Sequence, residues 1–460
     1  MIRPIITRAL PAVAGLIWLL GDQATSLFSL IPGTLLLGGG VAALLLRGDF
    51  RTPQLVAIGA IIGMINATLL TFTIDLSAAL WLFVASLISF LIAGKGFEES
   101  IPTPLDVPEA DNSFAITTKA AFDELSLGSS IRFMLHSPSS CKLDQIADEA
   151  HRGIELFEAG GFLQSPLTWR QNPEIPNDIS LSSGSFKGLD YQKMQFPSGY
   201  QPPIDFPGFD RWQGYQNNRN AHCLVLQHPG PQRPWIVCVH GGAMGGDSTN
   251  LYGMQAAKFH HEHGLNVLLP VLPLHGARRT GMMSGAGIIG GYLTDTVFAM
   301  SQVVWDIRQM MNWIRAQGAD QIGIYGISLG GYTTGLITQS EPDLACAVAG
   351  IPASRLAPML GRLVEPRMTE GLAERGIGLN EVEQLFKVIS PLAEPPKLTQ
   401  NKRYIFAGVA DRMVSAEHVA ELWRHWEKPR IEWYQGSHVS WLWERSAQNL
   451  LSEVVERHLT

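Results

Sequence analysis

Charge is scarce in this sequence. Asp, Glu, Lys and Arg make up only 16% of its 460 residues, well under the quarter usual for soluble domains, so part of the chain is expected to sit out of water. A basic excess is missing as well. The net charge of −7 leaves nothing to neutralise a phosphate backbone, which argues against a nucleic-acid partner. Cysteine is sparse: the four residues Cys141, Cys223, Cys238 and Cys346 form no CxxC pair, so neither a zinc finger nor a disulfide framework is expected. Cys238 and Cys346 lie in apolar runs and read as buried thiols. There is no H-E-x-x-H. The run His260-His-Glu-His263 falls at a helix end before Gly264, where histidines suit the helix dipole, and no metal or other cofactor is expected.

What the chain has in abundance is apolar. Residues 26–46, 53–74 and 76–93 contain no charged side chain, and each approaches the roughly 20 residues that cross a bilayer core. A shorter run, 9–20, follows Arg3 and Arg8 and precedes Asp22. It reads as a short first span, or else as the apolar part of a signal peptide; the span is the preferred reading, giving four transmembrane helices within 1–95. The basic residues Arg3, Arg8, Arg47, Arg51 and Lys95 then fall on one side and Asp22 and Asp75 on the other. By the positive-inside rule both the N-terminus and the domain after the last span face the cytoplasm. Gly59-Ala-Ile-Ile-Gly63 is a small-xxx-small pattern that permits close helix approach. With no ionisable group inside spans two to four, the bundle reads as an anchor rather than an ion path.

Residues 96–112 are proline-rich and acidic and read as a semi-rigid linker. Residues 113–220 read as an extension, helical at first, then loop-rich with one or two strands. From 221 to 460, strand-like runs at 223–227, 235–240, 266–272, 321–326, 345–349, 403–408 and 430–434 alternate with helical patterns at 252–263, 295–316, 330–339, 416–426 and 439–458. That alternation predicts an α/β domain with a mainly parallel sheet, whose site would lie at the carboxyl ends of the strands.

Gly326-Ile-Ser328-Leu-Gly330 sits where a strand should turn into a helix, the context a nucleophile elbow requires. A serine hydroxyl needs a base and an orienting acid. His438, in Gln435-Gly-Ser-His438, follows the last expected strand, whereas His418 and His425 fall in a helix and His458 at the tail. Asp411, in Phe406-Ala-Gly-Val-Ala-Asp411, follows the preceding strand; Glu394 is the weaker alternative. The oxyanion hole requires two N–H groups. The amide of Leu329 is one; Gly242 or Ala243, in His240-Gly-Gly-Ala243, supplies the other, with Gly241 against the substrate. Arg278 and Arg279 are either solvated or bind an acidic substrate group, with Arg278 carried as the candidate. Gly285-x-Gly287-x-x-Gly290 lacks the strand before it that a dinucleotide site needs. Trp423, Trp426, Trp433, Trp441 and Trp443 cluster in sequence around the acid and histidine and read mostly as core.

On the HGG at 240–242, the elbow at 326–330, Asp411 and His438, residues 221–460 resemble the α/β-hydrolase superfamily, in particular its esterase- and dienelactone-hydrolase-like members. The resemblance implies an α/β-hydrolase fold behind the transmembrane helices, and a membrane-anchored serine hydrolase acting through an acyl-serine intermediate on a small-molecule or lipid ester. Two other readings stay open: an acyltransferase sharing the covalent step, and an inert membrane scaffold.

Overall fold

The structure is a computed structural model and describes residues 2–21, 27–46, 48–96, 104–134 and 139–460. Asp22, Arg47 and the first part of the linker, 97–103, lie outside the described residues. The chain divides into two compact units. The first comprises Met1–Phe133, Gly408–Glu417 and Trp433–Glu444; the second comprises Met134–Ala407, His418–Glu432 and Arg445–Thr460.

The first unit begins with four apolar helices: α1 (Ile2–Leu20), α2 (Leu27–Leu45), α3 (Arg51–Leu70) and α4 (Leu76–Lys95). Three of them, α2, α3 and α4, are long and apolar enough to cross a membrane; the apolar part of α1, Ile6–Leu20, is shorter. The expected count of four therefore becomes three on length and composition. α1 nevertheless packs on both α2 and α4, and the wholly buried Trp18 donates its indole N–H to Ser86 Oγ at 3.1 Å.

The small-residue pattern on α3 is used on two sides. A methyl group at Gly59 would stand 2.8 Å from Leu35 Cβ, and one at Gly63 would run into Ser86 Oγ. Polar Ser29, Ser86 and Ser89 are buried between the helices, whereas Leu45, Leu69, Leu80 and Trp81 are exposed. Apolar side chains thus lie both in the interior of the bundle, with Trp18, Leu36, Val56 and Phe90 buried, and on its outer surface. Asp75 starts α4 as its N-cap, accepting the N–H groups of Ser77 and Ala78. After the linker, α5 (Phe114–Met134) packs Phe122 edge-on against Phe90 of α4.

The second unit is built on a nine-stranded sheet in the order β1-β2-β3-β5-β4-β6-β7-β8-β9. The strands are β1 (Ser180–Phe186), β2 (Leu189–Pro197), β3 (Asn220–Leu226), β4 (Trp235–Val239), β5 (Asn266–Val271), β6 (Ile322–Ile327), β7 (Cys346–Gly350), β8 (Arg403–Gly408) and β9 (Arg430–Tyr434). β1, β2, β3 and β5 pair antiparallel; β5, β4, β6, β7 and β8 pair parallel. The parallel strands are buried along their whole length, which is why they read as unbroken apolar runs.

All seven strands expected from the sequence are present. The sheet also reaches back before residue 221: β1 and β2 belong to the segment read as a loop-rich extension, and the Ser- and Gly-rich β1 is mostly exposed, so it carries little apolar alternation. The helix expected at 252–263 is broken, because Gln255 takes a positive φ of 56° after the helix Asp247–Gly253. Within 352–400 the chain forms three short helices, Leu356–Leu363, Pro366–Ala373 and Leu379–Phe386, the last two packing on α6 (Ser140–Ala159). A mainly parallel sheet with a strand–serine–helix turn at the end of its central β6 is the α/β-hydrolase fold.

Candidate active site

β6 ends at Ile327, the next residue is Ser328, and a helix runs from Leu329 to Thr338. Ser328 has φ 54° and ψ −115°, a conformation that costs a non-glycine residue about 1–3 kcal/mol and persists only where the surroundings impose it. They do so here. Its N–H donates to the Gly350 carbonyl at 2.9 Å, and its carbonyl accepts from Tyr332 N at 2.9 Å. A side chain at Gly326 would collide with the Gly330 carbonyl, and one at Gly330 with that of Val239, so the tight turn admits only glycine at both positions. The Leu329 N–H, at the first position of the helix, has no intrahelical acceptor.

The expected oxyanion loop lies alongside. β4 pairs with β6 so that Val239 stands opposite Gly326, and a methyl group on Gly241 would sit 3.4 Å from Ser328 Cβ. His240 is wholly buried. Its Nδ1–H donates to the Gly241 carbonyl at 2.7 Å, and its Nε2 accepts from Leu272 N at 3.2 Å. Burial, with His275 nearby, holds its pKa down to about 3, so the ring is neutral and this tautomer uses both nitrogens. Because C=O and N–H point oppositely across a trans peptide, turning the Gly241 carbonyl onto His240 aims the Gly242 N–H away from that ring. Ala243 takes a left-handed φ of 62°.

Arg278 lies elsewhere than expected. It is wholly buried and pairs with Asp306 at 2.8 Å, while also donating to the carbonyls of Val271 and Asn218. An arginine taken out of water needs a carboxylate partner, and this one is committed inside the fold rather than to a substrate. Arg279 hydrogen-bonds the Gly276 carbonyl.

The acid and the base belong to the first unit. Asp411 comes shortly after β8 and His438 shortly after β9, and His438 Nδ1 lies 2.6 Å from Asp411 Oδ2. The other oxygen, Oδ1, accepts from Met413 N at 2.8 Å and Val414 N at 2.7 Å. Burial opposes charging the His438 ring, but the carboxylates of Asp411 and Asp123 outweigh it and raise its pKa above the ordinary imidazole value. The other histidines after Ser328 are engaged differently: His418 with Ser354 Oγ, His425 with the Glu394 carbonyl and His458 with the Tyr404 hydroxyl. Of the five tryptophans near these loops, Trp426 and Trp441 are buried and Trp443 is exposed.

The structure thus groups Asp411 with His438 in one unit, and Ser328, Leu329 and residues 241–243 in the other. One residue absent from the sequence reading stands in the first group. Asp123, on α5, is wholly buried and accepts the backbone N–H groups of Arg412, His438 and Val439. No motif marks it; its role follows from contacts that join it to residues some 300 positions away.

Residues 301–447, which include Ser328, Asp411 and His438, match the prolyl oligopeptidase family (Peptidase_S9). Among solved structures, acetyl xylan esterase 1 of Thermoanaerobacterium sp. JW/SL YS485 is 15% identical with a TM-score of 0.46, over 66% of this chain and 93% of that one. Uncharacterized protein MT2702 of Mycobacterium tuberculosis (strain CDC 1551 / Oshkosh) is 35% identical over 358 residues, 77% of this chain and 85% of that protein. Uncharacterized protein Rv2627c of Mycobacterium tuberculosis (strain ATCC 25618 / H37Rv) matches to the same extent. At that identity and coverage, this chain belongs to the family of these two mycobacterial proteins.

Proposed function

We propose that the chain is a membrane-anchored serine hydrolase that cleaves a carboxylic ester through an acyl-serine intermediate. The observation that carries this reading is the elbow: a strained Ser328 at the end of a central parallel strand, beside a glycine loop that can supply an oxyanion donor. In this mechanism Ser328 Oγ attacks the carbonyl carbon, and His438 Nε2 takes the hydroxyl proton. Asp411 fixes the Nδ1–H tautomer and stabilises the imidazolium. The N–H groups of Leu329 and of Gly242 or Ala243 receive the developing oxyanion. His438 then protonates the leaving alkoxide, and water, deprotonated by the same ring, releases the acid. The chain order Ser328, Asp411, His438 is that of the fold.

Membrane attachment is supported by the three long apolar helices, and a cytoplasmic catalytic domain by the distribution of Arg and Lys. Attachment to a bilayer through those helices favours a lipophilic ester. The match to the prolyl oligopeptidase family favours a second reading, cleavage of a peptide bond by the same residues.

The test is labelling of the full chain in detergent with a fluorophosphonate, beside Ser328→Ala, followed by p-nitrophenyl esters of graded chain length and peptide p-nitroanilides. Labelling that the variant lacks, with ester turnover rising with chain length, supports the lipophilic-ester reading. Turnover of the anilides alone selects the peptidase. An unlabelled, folded wild type removes both.

A further inference from the structure

The carboxylate of Asp123 is fully buried on α5, and among the described residues its hydrogen-bond donors are main-chain N–H groups. Its Oδ2 accepts Arg412 N at 3.0 Å and His438 N at 2.8 Å, and its Oδ1 accepts Val439 N at 2.9 Å. Arg412 directly follows Asp411, and Val439 directly follows His438. A single carboxylate therefore ties together the two loops at the residues next to the acid–base pair. One turn earlier, on the same face of α5, Lys119 Nζ donates to the Gln435 carbonyl at 3.0 Å and pairs with Glu444 at 2.6 Å. The Arg412 side chain runs to the Gly94 carbonyl at the end of α4 at 3.0 Å.

An isolated carboxylate is costly to bury. Burial and the neighbouring Asp411 push the Asp123 pKa up to about 6, while His438 and the backbone donors act the other way. All three of its hydrogen-bond partners are N–H groups, which suit the ionised form. A carboxyl that serves only packing would be replaced by an apolar residue at little cost; this one satisfies three otherwise orphaned donors on two separate loops.

We propose that Asp123 is a positioning residue, its buried carboxylate clamping the Asp411 loop to the His438 loop so that the acid–base pair keeps its geometry. This inference rests on the reading of Asp411 and His438 as catalytic acid and base. Asp123 hydrogen-bonds the backbone N–H groups of Arg412, His438 and Val439 and acts through the backbone that carries the pair. Charged groups on the neighbouring segments include Asp411 and Arg412 on the acid loop, Lys119 and Asp123 on α5, and Glu444 after the histidine. Of these, Asp411 and Asp123 raise its affinity for a proton. Loss of the clamp therefore has two signatures, displaced loops and a less basic His438.

The test uses the full chain in detergent with ¹³Cε1-labelled histidine, comparing wild type, Asp123→Asn and, for assignment, His438→Gln. Asparagine keeps one acceptor oxygen but points an NH₂ at an N–H. The expected result is a downward shift of the His438 titration and a fall of about 100-fold in fluorophosphonate labelling, the scale of an ångström of misplacement. Asp123→Glu, which keeps the charge, is expected to restore most of the titration shift but not the rate. A titration and labelling rate unchanged in Asp123→Asn overturn the proposal.

Should that variant not fold, hydrogen exchange on the wild type decides. Strong protection of the Arg412, His438 and Val439 amides supports the clamp, and exchange at the free-peptide rate overturns it. Neither the titration nor the exchange depends on turnover. A wild type that is not labelled fails the hydrolase reading, while these two measurements still decide the clamp.

Discussion

The hydrogen bond between His438 Nδ1 and Asp411 Oδ2, 2.6 Å long, is held from behind, because Asp411 Oδ1 is anchored by the N–H groups of Met413 and Val414. This anchoring determines what asparagine would do there. Those two donors would claim the amide oxygen and leave the NH₂ facing Nδ1. The ring would then carry its proton on Nε2, the tautomer that cannot act as a base. Asp411→Asn is expected to lower kcat by about 10³–10⁴-fold with KM little changed. Steady-state kinetics on the best ester checks this, and a loss under tenfold would count against Asp411 as the orienting acid.

Activity and stability should respond to pH in opposite directions at this pair. The base must be neutral, and the pKa of His438 is raised above the ordinary 6.5, so kcat/KM should climb with pH through an acid limb lying above that value. Stability runs the other way. A histidine whose folded pKa is raised contributes stability fully below 6.5 and loses it as pH rises through the folded value. Asp123, raised from 3.8 to about 6, adds a fall in stability over that lower window, because the folded state holds its proton longer. These two groups should therefore lower thermal stability as pH rises above about 4, and His438→Gln should flatten the part above pH 6.5. A profile that the substitution leaves unaltered would refute the assignment.

Much of the second unit was legible in the sequence because its elements are local. Buried parallel strands read as apolar runs, and Gly326 of the elbow is fixed by a collision with Gly330 four residues on. One or two strands were expected in the extension, but β1 could not be placed because an exposed, Ser- and Gly-rich strand carries no burial pattern. Asp123 escaped notice because an aspartate on a helix looks solvated until the loops it serves, some 300 residues later, are folded against it. Arg278 was misjudged for the same reason: its partner Asp306 lies on the next long helix, Leu293–Ala316, and no spacing rule links the two. The three long helices of the first unit were legible as uncharged apolar runs, whereas the apolar part of α1 is too short to match them.

Arg278 provides a direct test of structural against substrate-binding roles. Its ion pair with Asp306 is buried on both sides, and removing one partner of such a pair leaves an uncompensated charge, at a cost of about 3–5 kcal/mol. Arg278→Ala is expected to lower the unfolding free energy by that amount. The double change of Arg278→Met with Asp306→Leu should recover most of it. Chemical denaturation of the wild type, Arg278→Ala and the double variant measures both effects. A stable Arg278→Ala with a raised KM would return this arginine to the substrate.

The N-terminal helices should matter for more than attachment. A chain beginning at 104 would retain Ser328, Asp411, His438 and Asp123. It would lose the Gly94 carbonyl that receives Arg412 and the Phe90 ring that packs on Phe122 of α5. α5 would then present an uncovered apolar face while carrying the carboxylate that holds both loops. Such a chain is expected to label with fluorophosphonate at least tenfold more slowly than the full protein in the same detergent, and Arg412→Ala in the full chain to show a smaller loss in the same direction. Equal labelling of the shortened and full chains would mean that the acid and histidine loops keep their geometry without α4, and that the helices before the linker serve attachment alone.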